Sequence, residues 1–191
     1  MMLQKTYIET VRQHLLDYAA KRREVIKTTG DALHHAKRAI FALQRDDRDE
    51  AQAKLKDVEA IFKTLNQTYK KNPLVLAEGS YAAALEEYVE AKLLYGFLTT
   101  GKIGPIRELP VPDESYVAGL CDVPGELYRY AIKSATERDY AMAKKCAEMA
   151  SEIIGELIEF NLTSYLRTKF DQAKQALHKL EQVVYEVSLR D

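Results

Sequence analysis

The sequence has few residues that interrupt helices and few that cross-link small folds. The 191-residue chain has eight glycines, five prolines, two cysteines and no tryptophan. All five prolines lie between positions 73 and 124, so residues 1–72 and 125–191 contain none. The two cysteines, Cys121 and Cys146, form neither a disulfide framework nor a zinc site. We therefore interpret them as reduced, buried, small hydrophobic residues.

Long apolar segments are also missing. The longest segment without an acidic or basic residue covers nine residues, 93–101, whereas a transmembrane helix needs about 20 apolar residues. Residues 1–5 lack the apolar core of a signal peptide. The charged and hydrophobic fractions of 30% and 47% are typical of a folded globular chain. We therefore expect a cytoplasmic protein without a membrane partner, folded as a single domain over residues 1–191.

Helical periodicity is present along nearly the whole chain, and the period-2 alternation of strands is absent. The segment 99–112 holds three prolines and two glycines and is the one clear loop. Asp113 follows it and is a candidate N-cap. These features predict an all-α fold, an antiparallel bundle of six to seven helices with several longer than 20 residues. The expected helical stretches are 3–45, 48–70, 74–98, 113–136, 138 to about 160 or 166, and a last stretch through 170–187.

Charge is distributed unevenly between the first helical stretch and the rest of the chain. Residues 1–45 hold nine Lys or Arg and four Asp or Glu, whereas residues 46–191 hold nineteen and twenty-five. The net charge of the whole chain is −1. A basic helix attached to an acidic body indicates a polyanion partner, and chance variation along helix surfaces is the alternative.

Familiar catalytic motifs are missing. The sequence has no glycine-rich phosphate loop, no GxSxG, no HExxH and no CxxC. None of its histidines follows a glutamate in a Glu-x-x-His pair, which argues against a ferritin-like di-iron bundle. We interpret all four as surface groups, with His34 or His35 as candidates for a phosphate contact. The four are His14, His34, His35 and His178.

Two acidic pairs lie within otherwise apolar helical segments. Glu87 and Glu90 are spaced i, i+3, and Asp122 and Glu126 are spaced i, i+4, so each pair shares a helix face. Like charges at these spacings repel, so neither pair stabilises its own helix. Four carboxylates without histidine or cysteine would form a hard oxygen site for Mg²⁺ or Mn²⁺. Such an ion could activate water and stabilise charge on a phosphodiester.

The alternative for these acids is two solvated faces in salt bridges with Lys92 and Arg129. In a helical chain with 29 acidic residues, such pairs arise often by chance, and spacing alone favours this alternative. Pro124 lies between Asp122 and Glu126 and lacks the N–H that would bond the carbonyl of Leu120. We expect a kink beside Asp122, where a freed carbonyl either assists an oxygen site or marks a helix break without function.

Four segments of the sequence resemble a known family. Residues 87–91 (EYVEA) and 119–129 (GLCDVPGELYR) resemble the translin superfamily, and more closely its translin-associated factor X branch with the archaeal homologues. Residues 36–45 are similar to the family's basic first-helix motif, and residues 183–190 to its C-terminal helix. The resemblance covers nearly the whole chain with order and spacing preserved.

This resemblance implies an all-α subunit of about seven helices that assembles into a hollow, barrel-like octamer and binds RNA on its inner surface. In the family, the factor X branch supplies metal-dependent endoribonuclease activity, whereas translin lacks the acidic cluster. Carried over by position, Glu87, Glu90 and Asp122 would be catalytic ligands of Mg²⁺ or Mn²⁺, with Glu126 as a fourth acidic ligand. A second, translin-like subunit is a further partner that the resemblance suggests.

The resemblance also implies residues that bind RNA. Arg129, one turn after Glu126, would contact RNA phosphate, and Lys37 and Arg38 would line the RNA-binding interior. Arg23 is a further candidate on the same basic stretch.

The sequence departs from the family at two places. Pro124 occupies a position where relatives carry a hydroxyl residue, and residues 79–84 replace the histidine- and arginine-rich stretch of translin. The predicted function is a metal-dependent endoribonuclease that acts inside a homo-oligomeric shell. The alternatives are a non-catalytic protein that binds RNA or single-stranded nucleic acid, and a helical scaffold that binds only proteins.

Overall fold

The computed structural model describes residues 3–189 and folds them into six α-helices and one short 3₁₀ helix. No β-strand occurs in this described range, which confirms the prediction of an all-α bundle of six to seven helices. The elements are α1 (Lys5–Leu43), α2 (Arg48–Thr68), the 3₁₀ helix (Pro73–Leu76), α3 (Gly79–Thr100), α4 (Asp113–Thr136), α5 (Tyr140–Ile158) and α6 (Ser164–Ser188).

Local sequence explains where several helices begin and end. The carboxylate of Asp47 accepts a hydrogen bond from the backbone N–H of Glu50 at 2.9 Å and caps α2. Asp139 caps α5 in the same way through Met142. Both satisfy a backbone donor that the first turn of a helix leaves unpaired. Gly101 ends α3 in the left-handed conformation, with φ of 73°, which glycine adopts without steric cost.

Two details of the predicted elements are wrong. Asp113 is the first residue of α4 and Pro112 holds the cap position, so Asp113 stabilises the helix through its charge near the N-terminus. The predicted third stretch 74–98 is divided into the 3₁₀ helix and α3, because Pro73 starts a short turn that does not continue. The loop therefore runs from 101 to 112. In contrast, α1 continues through Gly30 without a break.

The packing of the helices places α3 and α4 at the centre of the molecule. Helix α1 packs against α2 and α3, while α4 packs against α3, α5 and α6. Large side chains such as Phe62, Tyr88 and Leu127 are fully buried in this core. Cys121 and Cys146 are free and buried there, as the sequence predicted.

Gly119 lets α3 and α4 approach closely. A Cβ atom at this position would lie 2.6 Å from Cγ1 of Val89 and 2.8 Å from the backbone carbonyl oxygen of Glu86. Both distances are shorter than carbon atoms tolerate, so only glycine fits at this crossing. The close approach brings the acidic segment of α3 against the acidic segment of α4.

The first half of α1 extends beyond the hydrophobic core. No residue of this helix is buried before Val25. A 39-residue helix is about 58 Å long, so roughly half of it projects from the bundle. No helix in residues 3–189 is long and apolar enough to cross a membrane. The large apolar side chains exposed on this half are Tyr7, Ile8, Leu15, Leu16 and Tyr18.

Candidate active site

Helices α3 and α4 bring the four predicted acids into one electrostatic cluster. Glu90 is buried, with 8% of its surface exposed, and Glu87, Asp122 and Glu126 are half-buried around it. Burial is the main cause that raises the pKa of Glu90, and the charges of Asp122, Glu87 and Glu126 raise it further, to about 9. Two segments more than 30 residues apart in sequence therefore interact in the fold.

Glu87 lies near both positively and negatively charged side chains. Burial raises its pKa, Lys37 on α1 opposes that shift, and the charges of Asp122 and Glu126 add to it. The carboxyl group of Glu87 thus lies within the electrostatic range of α1 and α4 at once. Because a carboxyl with a raised pKa retains its proton more readily, ionisation of the whole cluster requires a compensating positive charge.

The acids do not already form a coordination sphere. Among residues 3–189, no group of three or more His, Cys, Asp or Glu side chains is arranged to hold a metal ion. Two of the four acids have partners instead. The ammonium group of Lys169 on α6 pairs with Asp122, and Glu126 accepts hydrogen bonds from Gln44 at 2.7 Å and from Arg129 at 3.0 Å. A metal ion bound at Asp122 or Glu126 would compete with these partners.

The chemistry of the donor set fits a hard divalent cation. The four acids offer only carboxylate oxygens, which suit Mg²⁺ and Mn²⁺ better than zinc. The ammonium group of Lys169 already places a positive charge beside Asp122, and the side chain of Lys169 is only 12% exposed. Burial alone would lower the pKa of Lys169, but the hydrogen bond and charge of Asp122 outweigh burial and raise it. The cluster therefore stabilises a buried positive charge.

A cleft of about 450 Å³ opens onto three of the four acids and is not lined by Asp122. Glu87, Glu90 and Glu126 contribute to one part of its surface, and basic side chains contribute to another. A cleft of this size can bind a cation at its acidic side chains and an anion at its basic side chains. We call its three positively charged residues the cationic rim, namely Lys37 and Arg38 on α1 and Arg129 on α4. His34 on α1 also lines the cleft.

The structure brings some predicted RNA-binding residues together and leaves one apart. Lys37, Arg38 and Arg129 all line the cleft. Arg23 does not, and it lies fourteen residues before Lys37 on α1, which corresponds to about 21 Å along the helix. Arg38 also pairs with Glu50 at 2.8 Å, an exposed contact that contributes little stability and yields easily to another anion.

The alternative to a metal site was that the acids are solvated and form salt bridges with two basic residues. The structure agrees with this alternative for one of the two. Arg129 pairs with Glu126 as that alternative expects. Lys92 instead pairs with Glu59 at 3.2 Å and with Glu108 at 2.7 Å, away from the acidic cluster. The acids themselves are buried or half-buried, so they are not solvated faces.

Several residues of the site were not predicted from the sequence. Lys169 and Gln44 bind acids of the cluster, and Tyr165 donates a hydrogen bond at 2.7 Å to Glu86, beside Lys169. Gln44 lies within the basic motif 36–45, directly after the end of α1, which was an available signal. Lys169 lies 47 residues from Asp122 on an amphipathic helix rich in charged residues, where nothing local distinguishes it.

Pro124 and two of the histidines occupy positions that the sequence left open. Helix α4 runs unbroken through Pro124, which is buried, so this residue is not a helix break. His34 is exposed and lines the cleft. His35 is half-buried and not a fully solvated surface group, with its Nδ1 3.6 Å from a carboxylate oxygen of Asp57.

By fold and site, the protein is an all-α bundle with an acidic cluster beneath a cationic rim. The model of the Translin family matches residues 20–191, which is most of the chain. The chain belongs to the Translin family. The resemblance predicted from the sequence is thereby confirmed.

Individual relatives agree with this assignment. The chain is 27% identical over 175 residues to an uncharacterized protein of Methanocaldococcus jannaschii, covering 87% of this chain and 78% of that protein. It is 23% identical over 197 residues to the translin-associated protein X homolog of Schizosaccharomyces pombe, covering 90% and 82%. Its fold is similar to that of the AfC3PO–duplex RNA complex, with a TM-score of 0.84, 23% identity and coverage of 96% and 97%.

Proposed function

We propose that this protein is a divalent-metal-dependent endoribonuclease that acts as a homo-oligomer. The observation that carries the proposal is the buried carboxyl of Glu90, surrounded by three further acids and opening into a cleft with a cationic rim. Two similarities support it. One relative is named a translin-associated protein X homolog, and one protein of the same fold was solved with duplex RNA.

Glu87, Glu90 and Asp122 are the residues that would hold the cation, with Glu126 as a fourth candidate. Bound Mg²⁺ or Mn²⁺ would lower the pKa of water and stabilise negative charge on a phosphodiester. The protein supplies carboxyl groups that are buried or half-buried, where electrostatic interactions are stronger than in bulk water. Burial is the main cause of the raised pKa of Glu90, and the repulsion of the neighbouring acids, which the cation would relieve, raises it further.

The cationic rim would hold the nucleic acid. Lys37, Arg38 and Arg129 offer donors to phosphate oxygens, and such contacts fix the position of a strand without reading its bases. We therefore expect low sequence preference. We also expect affinity for RNA to fall steeply with salt concentration, because each neutralised phosphate releases bound counterions.

Homo-oligomerisation would cover the projecting half of α1. This half exposes large apolar side chains such as Leu15 and Leu16, which are 63% and 58% exposed. Apolar side chains grouped on one projecting helix mark an interaction surface. The resemblance predicts an octamer, with a second, translin-like subunit as a further candidate partner.

Cleavage of a labelled RNA tests the catalytic proposal. The wild type with Mg²⁺ or Mn²⁺ should cut the RNA, and Asp122→Asn should lose at least about 100-fold in rate because it removes a ligand charge. Asp113→Asn is the matched control, since it makes the same change at an exposed position of α4. Undiminished cutting by Asp122→Asn would remove Asp122 from the mechanism.

The second candidate function is RNA binding without catalysis. The cationic rim favours it, because the rim alone suffices to bind phosphates. The same assay separates the two functions: a binding module would retain RNA at low salt, with no need for a divalent ion and no cut product. A scaffold that binds only proteins would retain no RNA.

A further inference from the structure

Lys169 on α6 connects three helices inside the candidate site. Its ammonium group pairs with Asp122 on α4 and lies 3.4 Å from a carboxylate oxygen of Glu86 on α3. The side chains of Lys169 and Glu86 are 12% and 14% exposed. Tyr165, one turn earlier on α6, donates a hydrogen bond to the same oxygen of Glu86, and its ring centroid lies 5.3 Å from the ammonium nitrogen. The lysine is thus held by two carboxylates and an aromatic ring.

This arrangement places Lys169 in competition with a metal ion. Asp122 already accepts a hydrogen bond from the ammonium group, so Lys169 and a divalent cation would compete for the negative charge of the same carboxylate. The positive charge of Lys169 also acts on Glu87 and Glu90, since it lowers the pKa of both. One lysine therefore neutralises part of the negative charge that would attract a metal.

Glu86 provides a second partner for the displaced ammonium group. It lies directly before Glu87 in sequence, its oxygen is within 4 Å of Lys169, and Tyr165 already fixes its orientation. The lysine can release Asp122 and remain paired with a carboxylate. This keeps a buried charge from being left without a partner, which would otherwise be costly.

We propose that Lys169 is a positioning residue that acts as an internal counter-ion of Asp122: it holds this carboxylate when no divalent ion is bound and moves to Glu86 when Asp122 becomes a ligand. The inference rests on the proposed function, because it concerns the same acidic cluster. Lys169 then has two measurable effects. It stabilises the metal-free protein, and it weakens the affinity for the metal.

Direct measurement of Mn²⁺ binding tests this role without RNA. Calorimetry on the intact protein gives the dissociation constant for the wild type and for Lys169→Met, which keeps an apolar stem and removes the charge. We expect Lys169→Met to bind Mn²⁺ about tenfold more tightly, because a charged hydrogen bond to Asp122 no longer has to be broken. We also expect a lower melting temperature without metal, because Asp122 loses its partner.

The matched control is Lys174→Met on the same helix. Lys174 is exposed and pairs with Asp171, outside the acidic cluster. Its replacement should leave Mn²⁺ affinity unchanged. Should Lys169→Met fail to fold, Lys169→Gln removes the same charge, and Lys169→Arg keeps it and should bind Mn²⁺ within a few-fold of the wild type.

A double-mutant cycle separates the counter-ion role from a purely structural one. In the Asp122→Asn background, Lys169→Met should tighten Mn²⁺ binding much less than it does in the wild type, because the competing pair is already absent. A lower melting temperature combined with unchanged or weaker Mn²⁺ affinity would overturn the proposal and leave Lys169 as a packing residue.

The outcomes also distinguish this inference from the proposed function. If Mn²⁺ binding by the wild type depends on Asp122 and Lys169→Met does not bind Mn²⁺ more tightly, only the inference is overturned. Absence of Mn²⁺ binding in both proteins would overturn the metal site and the inference together. Binding by Lys169→Met alone would support the counter-ion role, with the lysine excluding the ion from the wild type.

Discussion

Glu90 combines burial with three neighbouring negative charges, and this combination makes the stability of the metal-free protein depend on pH. Its pKa rises from an ordinary value of 4.5 to about 9 in the folded state. Between these two pH values the folded protein binds a proton that the unfolded chain does not, so the free energy of unfolding falls as pH rises. Glu90 therefore destabilises the metal-free fold at neutral pH.

Replacement of Glu90 by Gln should relieve this destabilisation. In the presence of a chelator, we expect Glu90→Gln to raise the free energy of unfolding by about 2 kcal/mol at pH 7. The difference from the wild type should grow from pH 5 to pH 9. Urea denaturation at pH 5, 7 and 9 measures it, with the exposed Glu114→Gln on α4 as control. A constant difference across this range would contradict the assigned environment of Glu90.

The basic residues of the rim give a second prediction for single residues. Lys37→Gln should weaken RNA binding to a similar extent for all sequences and reduce the slope of log affinity against log salt by about 1. Lys63→Gln, at an exposed position of α2 that does not line the cleft, is the control and should leave this slope unchanged. Filter binding at several salt concentrations provides the measurement. Equal effects of the two changes would contradict the assignment of Lys37 to the cleft.

At the scale of secondary-structure elements, the crossing of α3 and α4 depends on Gly119. Gly119→Ala places a Cβ within 2.8 Å of the backbone of Glu86 and against the side chain of Val89, so the two helices must separate. We expect a loss of about 1–3 kcal/mol in the free energy of unfolding and weaker Mn²⁺ binding, because the acids of the two helices move apart.

Gly125→Ala offers a matched control on the same helix. A Cβ at Gly125 meets no atom within 4 Å. Replacement by alanine there should increase stability by up to about 1 kcal/mol through helix propensity. Chemical denaturation and Mn²⁺ titration of both variants compare the two positions. A stable, normally binding Gly119→Ala protein would contradict the close-packing role of this glycine.

The helices could be predicted from the sequence because their determinants are local. The periodicity of apolar residues, the position of the prolines and the acidic caps account for α1, α2, α5 and α6 within a few residues. The start of α3 was placed wrongly because Pro73 can begin either a helix or a single turn, and local sequence does not distinguish them. The spacing of Glu87 and Glu90 identified their shared face for the same local reason.

The contacts between helices could not be predicted in this way. The pairing of Lys169 with Asp122 depends on how α6 packs on α4, and the burial of Glu90 depends on the crossing at Gly119. Both are properties of the tertiary structure and leave no pattern in the sequence. The resemblance to a family indicated which acids belong together, whereas the residues that neutralise them appear only in the folded molecule.

At the scale of the whole molecule, the projecting half of α1 should control assembly. Introduction of two charges by Leu15→Glu with Leu16→Glu should shift the protein to smaller species, because burying those charges in an interface is unfavourable. The control is Gln13→Glu with His14→Glu, which adds the same charges to exposed polar positions of the same turn. Light scattering coupled to size exclusion measures the mass. An unchanged mass for the leucine variant would place the interface elsewhere.

A crystal structure of the protein soaked in Mn²⁺, with anomalous diffraction to locate the ion, shows whether the acids of α3 and α4 bind a metal. We predict one anomalous peak among the carboxylates of Glu87, Glu90 and Asp122, at about 2.0–2.3 Å from their oxygens. The ammonium group of Lys169 should then lie nearer to Glu86. A map without a peak at this cluster, or with Mn²⁺ bound only elsewhere on the surface, would contradict the account.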